Sequence, residues 1–217
     1  MDFVIIRATF GRFGTDKKFM QNAKGCIENN IPFSFYYYSY ALTEKEAEDE
    51  VNHFLETIKE YKEKISLPVV IDMEDSDSYK LNHGVTKKEE LTNICITACE
   101  EILKSDLKAM IYANADWFKN KLDEEKLSKY FKWIAVWNEK EDEEKLKKKY
   151  VMWQYSSKGK IEGIKGNVDL NYSFVDFPKF SAYLDNLSKI EMIKYMTKLD
   201  DLDIQFMSCY KWRSRFD

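Results

Sequence analysis

The chain has 217 residues, of which 44% are hydrophobic, 15% aromatic and 33% charged, enough apolar material for one good-sized domain and too much for a disordered chain. Net charge is −4, and of 34 basic residues only Arg7, Arg12, Arg213 and Arg215 are arginine, a balance that argues against a nucleic-acid partner. No apolar run reaches the ~18 residues of a membrane span, and Met1-Asp2-Phe3-Val4-Ile5-Ile6-Arg7 has neither the basic n-region nor the long h-region of a signal peptide.

That opening reads instead as a buried strand, Phe3–Thr9, and strand-like runs recur at Pro32–Ser39, Pro68–Glu74, Lys108–Asn114, Lys132–Asn138, Val151–Ser157 and Asn167–Phe174. Several are nearly continuous apolar stretches, as strands covered on both faces should be. Helical patterns lie between the first five. Asp16 is placed to cap a helix that buries Phe19, Ala23 and Ile27. Thr43-x-x-Glu46 forms a capping box ahead of Ala47, Val51, Phe54, Leu55 and Ile58. A second box, Thr86-x-x-Glu89, leads into Leu91, Ile94, Cys95, Ala98 and Ile102, and residues 116–130 form a fourth helical pattern. The Glu/Lys runs at 44–50 and 139–149 read as solvated faces.

Alternating strand and helix implies a parallel sheet with right-handed crossovers. After Asn138 the intervals shorten, and Lys158–Lys165, with Gly159 and Gly163, reads as a hairpin loop. The count is about five strand–helix units followed by strands. A barrel of this type closes with eight strands, and seven are legible. From Phe180 to Leu199 a helical stripe of Tyr183, Leu184, Leu187, Ile190, Ile193 and Met196 predicts a tail of helix.

Cys26, Cys95, Cys99 and Cys209 show no CxxC and no ladder of spacings and read as small apolar residues, although two thiols four apart on a helix, as Cys95 and Cys99 are, could in principle bind a metal. His53 and His83 have no second ligand nearby, so no metal is expected. The chemistry concentrates in Pro68-Val69-Val70-Ile71-Asp72-Met73-Glu74-Asp75, an apolar strand ending in two carboxylates at i, i+2. That spacing puts both on one face, with Cα atoms ~6.6 Å apart. Two carboxylates in different environments suit acid and base or stabiliser roles in glycoside hydrolysis, although a solvated acidic loop gives the same pattern. Tyr36, Tyr38 and Tyr40 share one face, as do Tyr112 with Asn114, Trp133 with Trp137, Trp153 with Tyr155, and Asp169 with Asn171. Core packing is the better reading of any single ring, but rings and amides gathered at one rim as a set suit a sugar chain.

In order along the chain, Phe3-Val4-Ile5-Ile6-Arg7-Ala8-Thr9-Phe10-Gly11, Pro32 with Tyr36 to Ala41, Pro68 to Asp75, Ile111-Tyr112-Ala113-Asn114, Trp133-Ile134-Ala135, Trp153-Gln154-Tyr155-Ser156-Ser157 and Gly166-Asn167-Val168-Asp169-Leu170-Asn171 resemble glycoside hydrolase family 25. These are the lysozymes (N-acetylmuramidases) of bacteria and phages. The resemblance implies an α/β fold, an irregular TIM-like barrel of about five β/α units and then strands, over residues 1–178. A helical tail of unknown role would follow at 179–217. It also implies a cofactor-free, metal-free hydrolase acting on peptidoglycan glycan strands at the β-1,4 bond between N-acetylmuramic acid and N-acetylglucosamine. Glu74 would be the general acid, Asp72 its partner and Asp169 an accessory carboxylate. Tyr36, Tyr38, Tyr112, Asn114, Trp137, Trp153 and Tyr155 would bind substrate.

The family's usual first strand, of the form Gly-Ile-Asp-Val-Ser with a further Asp, is missing ahead of Phe3, so the barrel reads as N-terminally truncated. Expectations are therefore a monomer acting on the cell wall, secreted or released by phage lysis, or else a catalytically impaired muramidase-like peptidoglycan binder.

Overall fold

A computed structural model describes residues 2–137 and 142–177, and those residues form a mixed α/β structure with eight strands. The chain divides into two compact units, one of residues 1–130 and a second beginning at Phe131.

In the first unit the strands run β1 (Val4–Phe10), β2 (Gly14–Thr15), β3 (Phe33–Tyr38), β4 (Val69–Asp72) and β5 (Ala109–Asn114). Their order is β2-β1-β3-β4-β5, with β1, β3, β4 and β5 parallel. β2 turns back antiparallel on the end of β1, pairing Thr9 with Thr15 and Phe10 with Gly14. A two-residue strand has no readable period, and the sequence pattern gave no sign of it. Val69, Val70 and Ile71 are wholly buried, as a strand covered on both faces requires.

Helix α1 (Phe19–Glu28) buries Phe19, Ala23 and Cys26, so Cys26 takes the inward place expected of Ile27. Asp16 does not cap it. Its carboxylate accepts from Lys18 N two residues on (2.8 Å) and binds Arg7, leaving Lys18 as the N-cap without a side-chain bond. α2 (Glu44–Ile58) starts as expected, Thr43 Oγ1 accepting from Glu46 N at 3.2 Å. Glu46 reaches back one residue further than the box requires, accepting from Leu42 N (2.8 Å).

A short helix α3 (Tyr79–Asn82) precedes α4 (Lys88–Lys104), which buries Leu91, Ile94, Cys95, Ala98 and Ile102 as the periodicity predicts. Its capping box is absent: the helix begins after an extended Lys87, one residue too late for Thr86 to reach it. The helical pattern at 116–130 shrinks to a π-turn at Trp117–Lys121, where Leu122 N donates to Trp117 O (2.9 Å). Asp123 then draws the chain away, its N–H bonding Thr92 Oγ1 (2.9 Å) and its carboxylate accepting from Glu125 N (3.1 Å).

The helices cover one face of this sheet. Phe19, Phe35 and Tyr61 meet edge to face with centroids 5.1–5.7 Å apart, and Tyr37 tilts against Phe54 of α2 at 5.1 Å. α2 packs against α4, with Cys95 and Cys99 buried as free thiols. The solvated reading of 44–50 fails at Glu50, which is 1% exposed and lies on the same stripe as Ala47, Val51 and Phe54.

In the second unit β6 (Phe131–Ala135) pairs parallel with β7 (Met152–Gly159), and β7 pairs antiparallel with β8 (Val168–Ser173). A short helix α5 (Glu143–Leu146) lies between β6 and β7, its first turn capped by Asp142. The β7–β8 connection is the hairpin expected from Gly159 and Gly163, interrupted by two register shifts. Cys209 and the predicted tail, 179–217, lie outside the described residues. No helix among the described residues is long and apolar enough to cross a membrane.

Candidate active site

Parallel pairing determines which side chains of the first unit share a face. Tyr36 stands opposite Val70, and Tyr38 opposite Asp72, which in turn stands opposite Tyr112. Tyr38, Asp72 and Tyr112 thus form one row across the C-terminal ends of three adjacent strands, with Asn114 two residues beyond on β5. Tyr37, Ile71 and Ile111 form the alternate row, and Tyr37 lies against helix α2, so the carboxylate row faces away from the helices. Strand C-termini are where catalytic groups gather in folds of this kind.

Asp72 is the last residue of β4 and is 9% exposed. The ladder continues one step past it, with Met73 N donating to Tyr112 O (2.8 Å). Glu74, half-buried, therefore follows immediately on a loop and not on the strand itself. The i, i+2 phase holds through Met73 and is then handed to loop geometry.

That loop is densely tied. Asp75 accepts from Lys80 N (2.7 Å) and Leu81 N (3.0 Å), and Asp77 from Tyr79 N (3.2 Å). Tyr38 OH accepts from Ser76 N (3.1 Å) and bonds Ser76 Oγ (3.2 Å), while Tyr40 OH donates to Asp77 Oδ2 (2.9 Å). Burial pushes the Tyr38 phenol up to about 12, so it remains a neutral hydroxyl. Two tyrosines read as a sugar-facing stripe therefore also hold the loop that follows Asp72.

Asn114 likewise has a structural bond, its Oδ1 accepting from Trp117 N (3.0 Å) at the start of the π-turn. A cation that sequence reasoning did not single out lies on the same face: Arg7, opposite Tyr36 in register. Its guanidinium bonds Asp16 (2.8 and 2.9 Å). Burial opposes its charge, but the Asp16 bond and the fields of Tyr36, Asp16 and Asp72 outweigh that cost and raise its pKa.

The remaining expected residues lie in the second unit. Trp153 is buried and donates through Nε1 to Val136 O (2.8 Å). Trp137 is 61% exposed, with Nε1 donating to Gln154 Oε1 (2.9 Å). Tyr155 stacks on Tyr172 at 4.5 Å, and both rings lie 5.9 Å from Trp153. Asp169 is exposed on β8, its carboxyl raised by partial desolvation. Asn171, across from Gln154, keeps Oδ1 buried without a hydrogen-bond partner.

The residues missed by sequence reasoning, Ser39, Glu50 and Lys80, lie beneath the row. Lys80 carried no periodic signal, whereas Glu50 could have been found from its place between Ala47 and Phe54.

The family model for glycosyl hydrolases family 25 matches residues 1–164. Curated proteins give no match. A family 25 glycosyl hydrolase from Bacillus anthracis superposes with a TM-score of 0.69 at 24% identity, covering 84% of this chain and 82% of that one. The CTP1L endolysin gives 0.66 at 26% identity over 89% of this chain and 60% of its own. The modular autolysin LytC of Streptococcus pneumoniae, solved with a synthetic peptidoglycan ligand, gives 0.67 at 24% over 79% and 40%. The chain thus spans about two fifths of that autolysin and three fifths of the endolysin. With three quarters of its length matched by one family model and the fold shared with three solved relatives, the chain belongs to glycosyl hydrolase family 25.

Proposed function

We propose that this protein is a lysozyme-type peptidoglycan hydrolase that cleaves the β-1,4 bond between N-acetylmuramic acid and N-acetylglucosamine. The observation that carries this reading is the Tyr38–Asp72–Tyr112 row at three parallel strand ends, with Glu74 two residues beyond Asp72. Family membership supports the reaction class, and the endolysin and autolysin relatives support a cell-wall glycan as substrate. An irregular TIM-like barrel belongs to the same reading, supported by the four parallel strands of the first unit and their helices.

Glu74, half-buried on its tied loop, is assigned as the general acid that protonates the leaving oxygen. Asp72, nearly enclosed on the strand end, stabilises the positive charge developing on the sugar ring or orients its acetamido group. Tyr36, Tyr38, Tyr112 and Asn114 present rings and an amide to the sugar from the same face. Asp169, Trp137, Trp153 and Tyr155 are assigned as an accessory carboxylate and sugar-stacking rings on the family resemblance.

The test is release of new reducing ends from purified peptidoglycan, followed by Glu74→Gln. Release by the parent chain that disappears in the variant is the expected result. Pull-down of peptidoglycan with no release would make the chain a binder, and turnover surviving Glu74→Gln would remove the acid assignment.

A further inference from the structure

Two charged side chains outside the row are almost fully enclosed: Glu50 on α2 and Lys80 on α3, each 1% exposed. Burying a charge is costly unless its polar atoms are matched. Here their side-chain hydrogen bonds converge on the two residues that follow β3. Glu50 Oε2 accepts from Ser39 Oγ (2.7 Å), its Oε1 from Tyr40 N (2.7 Å), and Lys80 Nζ donates to Ser39 O. Ser39 Oγ also accepts from Ala41 N (3.3 Å), and Ser39 N donates to Asp72 O (3.0 Å).

The connectivity matters more than the burial. Segment 72–80 leaves the sheet at Asp72, whose carbonyl is held by Ser39, and ends at Lys80, whose ammonium returns to the same Ser39. Both ends of the segment that carries Glu74 are therefore fastened to one residue, and Glu50 holds that residue from below. Tyr38 and Tyr40, the neighbours of Ser39, grip Ser76 and Asp77 in the middle of the segment.

We infer that Glu50 and Lys80 are a buried positioning pair that, through Ser39, sets the placement of the Glu74 loop for catalysis. The inference rests on Glu74 being the acid. The charges facing Glu50 are Lys80 and Glu46, with the Tyr37 phenol alongside, and those facing Lys80 are Glu50, Asp75 and Asp72, with the Cys95 thiol alongside. Burial pushes the Glu50 carboxyl up to about 7 and lowers the Lys80 ammonium, as expected of groups kept from water.

The deciding variant is Glu50→Leu/Lys80→Met, which removes both charges together and leaves neither one buried alone. Expected is a folded protein of unchanged circular dichroism whose kcat for reducing-end release falls by about tenfold or more, with KM within about twofold. Amide exchange across 73–81 should speed up by a similar factor. Glu50→Gln, whose amide can serve both Ser39 Oγ and Tyr40 N, should restore most of the kcat lost in Glu50→Leu. A folded double variant with parental kcat and parental exchange at 73–81 overturns the inference.

Should the double variant fail to fold, Ser39→Ala carries the test. It removes both hydroxyl bonds of the hub, to Glu50 and from Ala41 N, and parental kcat with parental exchange in it overturns the inference equally. A parent chain that releases no reducing ends refutes the hydrolase reading alone, and the exchange measurement still decides the positioning role.

Discussion

Asp72 and Asp169 are both acids on strands, and they occupy opposite settings. Asp72 closes a parallel strand whose preceding three residues are wholly buried, and its row is fixed by pairing on both sides. Asp169 lies on an antiparallel hairpin strand at a register shift, between Val168 and Leu170, exposed, with neighbours that are only partly covered. Orientation is cheap to maintain where the backbone is paired on both sides and the core is full. A hairpin strand with interrupted register keeps little of that constraint. On the proposed function, the first unit is accordingly the place for chemistry that tolerates no misplacement, and the second for contacts that adapt.

That contrast can be broken most directly at Glu74. Glu74→Gln should lower the rate of reducing-end release by about a thousandfold, within the range for loss of a general acid, while leaving the unfolding midpoint in place. An equal loss from Asp169→Asn would erase the distinction between the two units. The expected loss there is about tenfold, consistent with an accessory charge in water.

A stability measurement sharpens the same point, with an effect between those two. Glu50 has its folded pKa raised from 4.5 to about 7 by burial, so the folded chain holds more protons than the unfolded one across that interval. The contribution is complete below pH 4.5 and is lost as pH rises through about 7, on the order of 3 kcal/mol at 1.36 kcal/mol per unit. Denaturant unfolding at pH 5 and pH 7.5 should show that slope in the parent and its absence in Glu50→Gln. The smallest effect is expected at Trp137→Ala. An exposed ring should change KM by a few-fold and leave stability within about 0.5 kcal/mol, checked by the same assay and melt.

Much of this was legible in the chain. Strands with apolar runs declare themselves, because a strand covered on both faces has little room for polar residues, and all seven strand-like runs, the more polar β8 included, correspond to strands. The capping box at Thr43 was readable because its bonds are local, whereas the one at Thr86 failed by a single residue of helix start. The segment 116–130 kept its apolar residues but lost its helix, since a π-turn and the Asp123 contact with α4 redirected the chain. Glu50 was overlooked for the opposite reason: it lies in a run of charges that reads as a solvated face, although its place between Ala47 and Phe54 puts it on the inward stripe.

The sequence motifs carried the family resemblance. Residue spacing alone determined the longer strands and the helices α1, α2 and α4 of the first unit, and which residues share a face within one strand, as Tyr36 does with Tyr38. Those features follow from periodicity and from which side chains can be buried. Tertiary structure decided that Tyr38, Asp72 and Tyr112 lie in one row, because register between distant segments is set by pairing and not by spacing along any one of them. It also decided that Glu74 stands on a loop whose two ends meet at Ser39. No local pattern encodes that closure, since Ser39, Glu50 and Lys80 are brought together only when the sheet and its helices assemble around them.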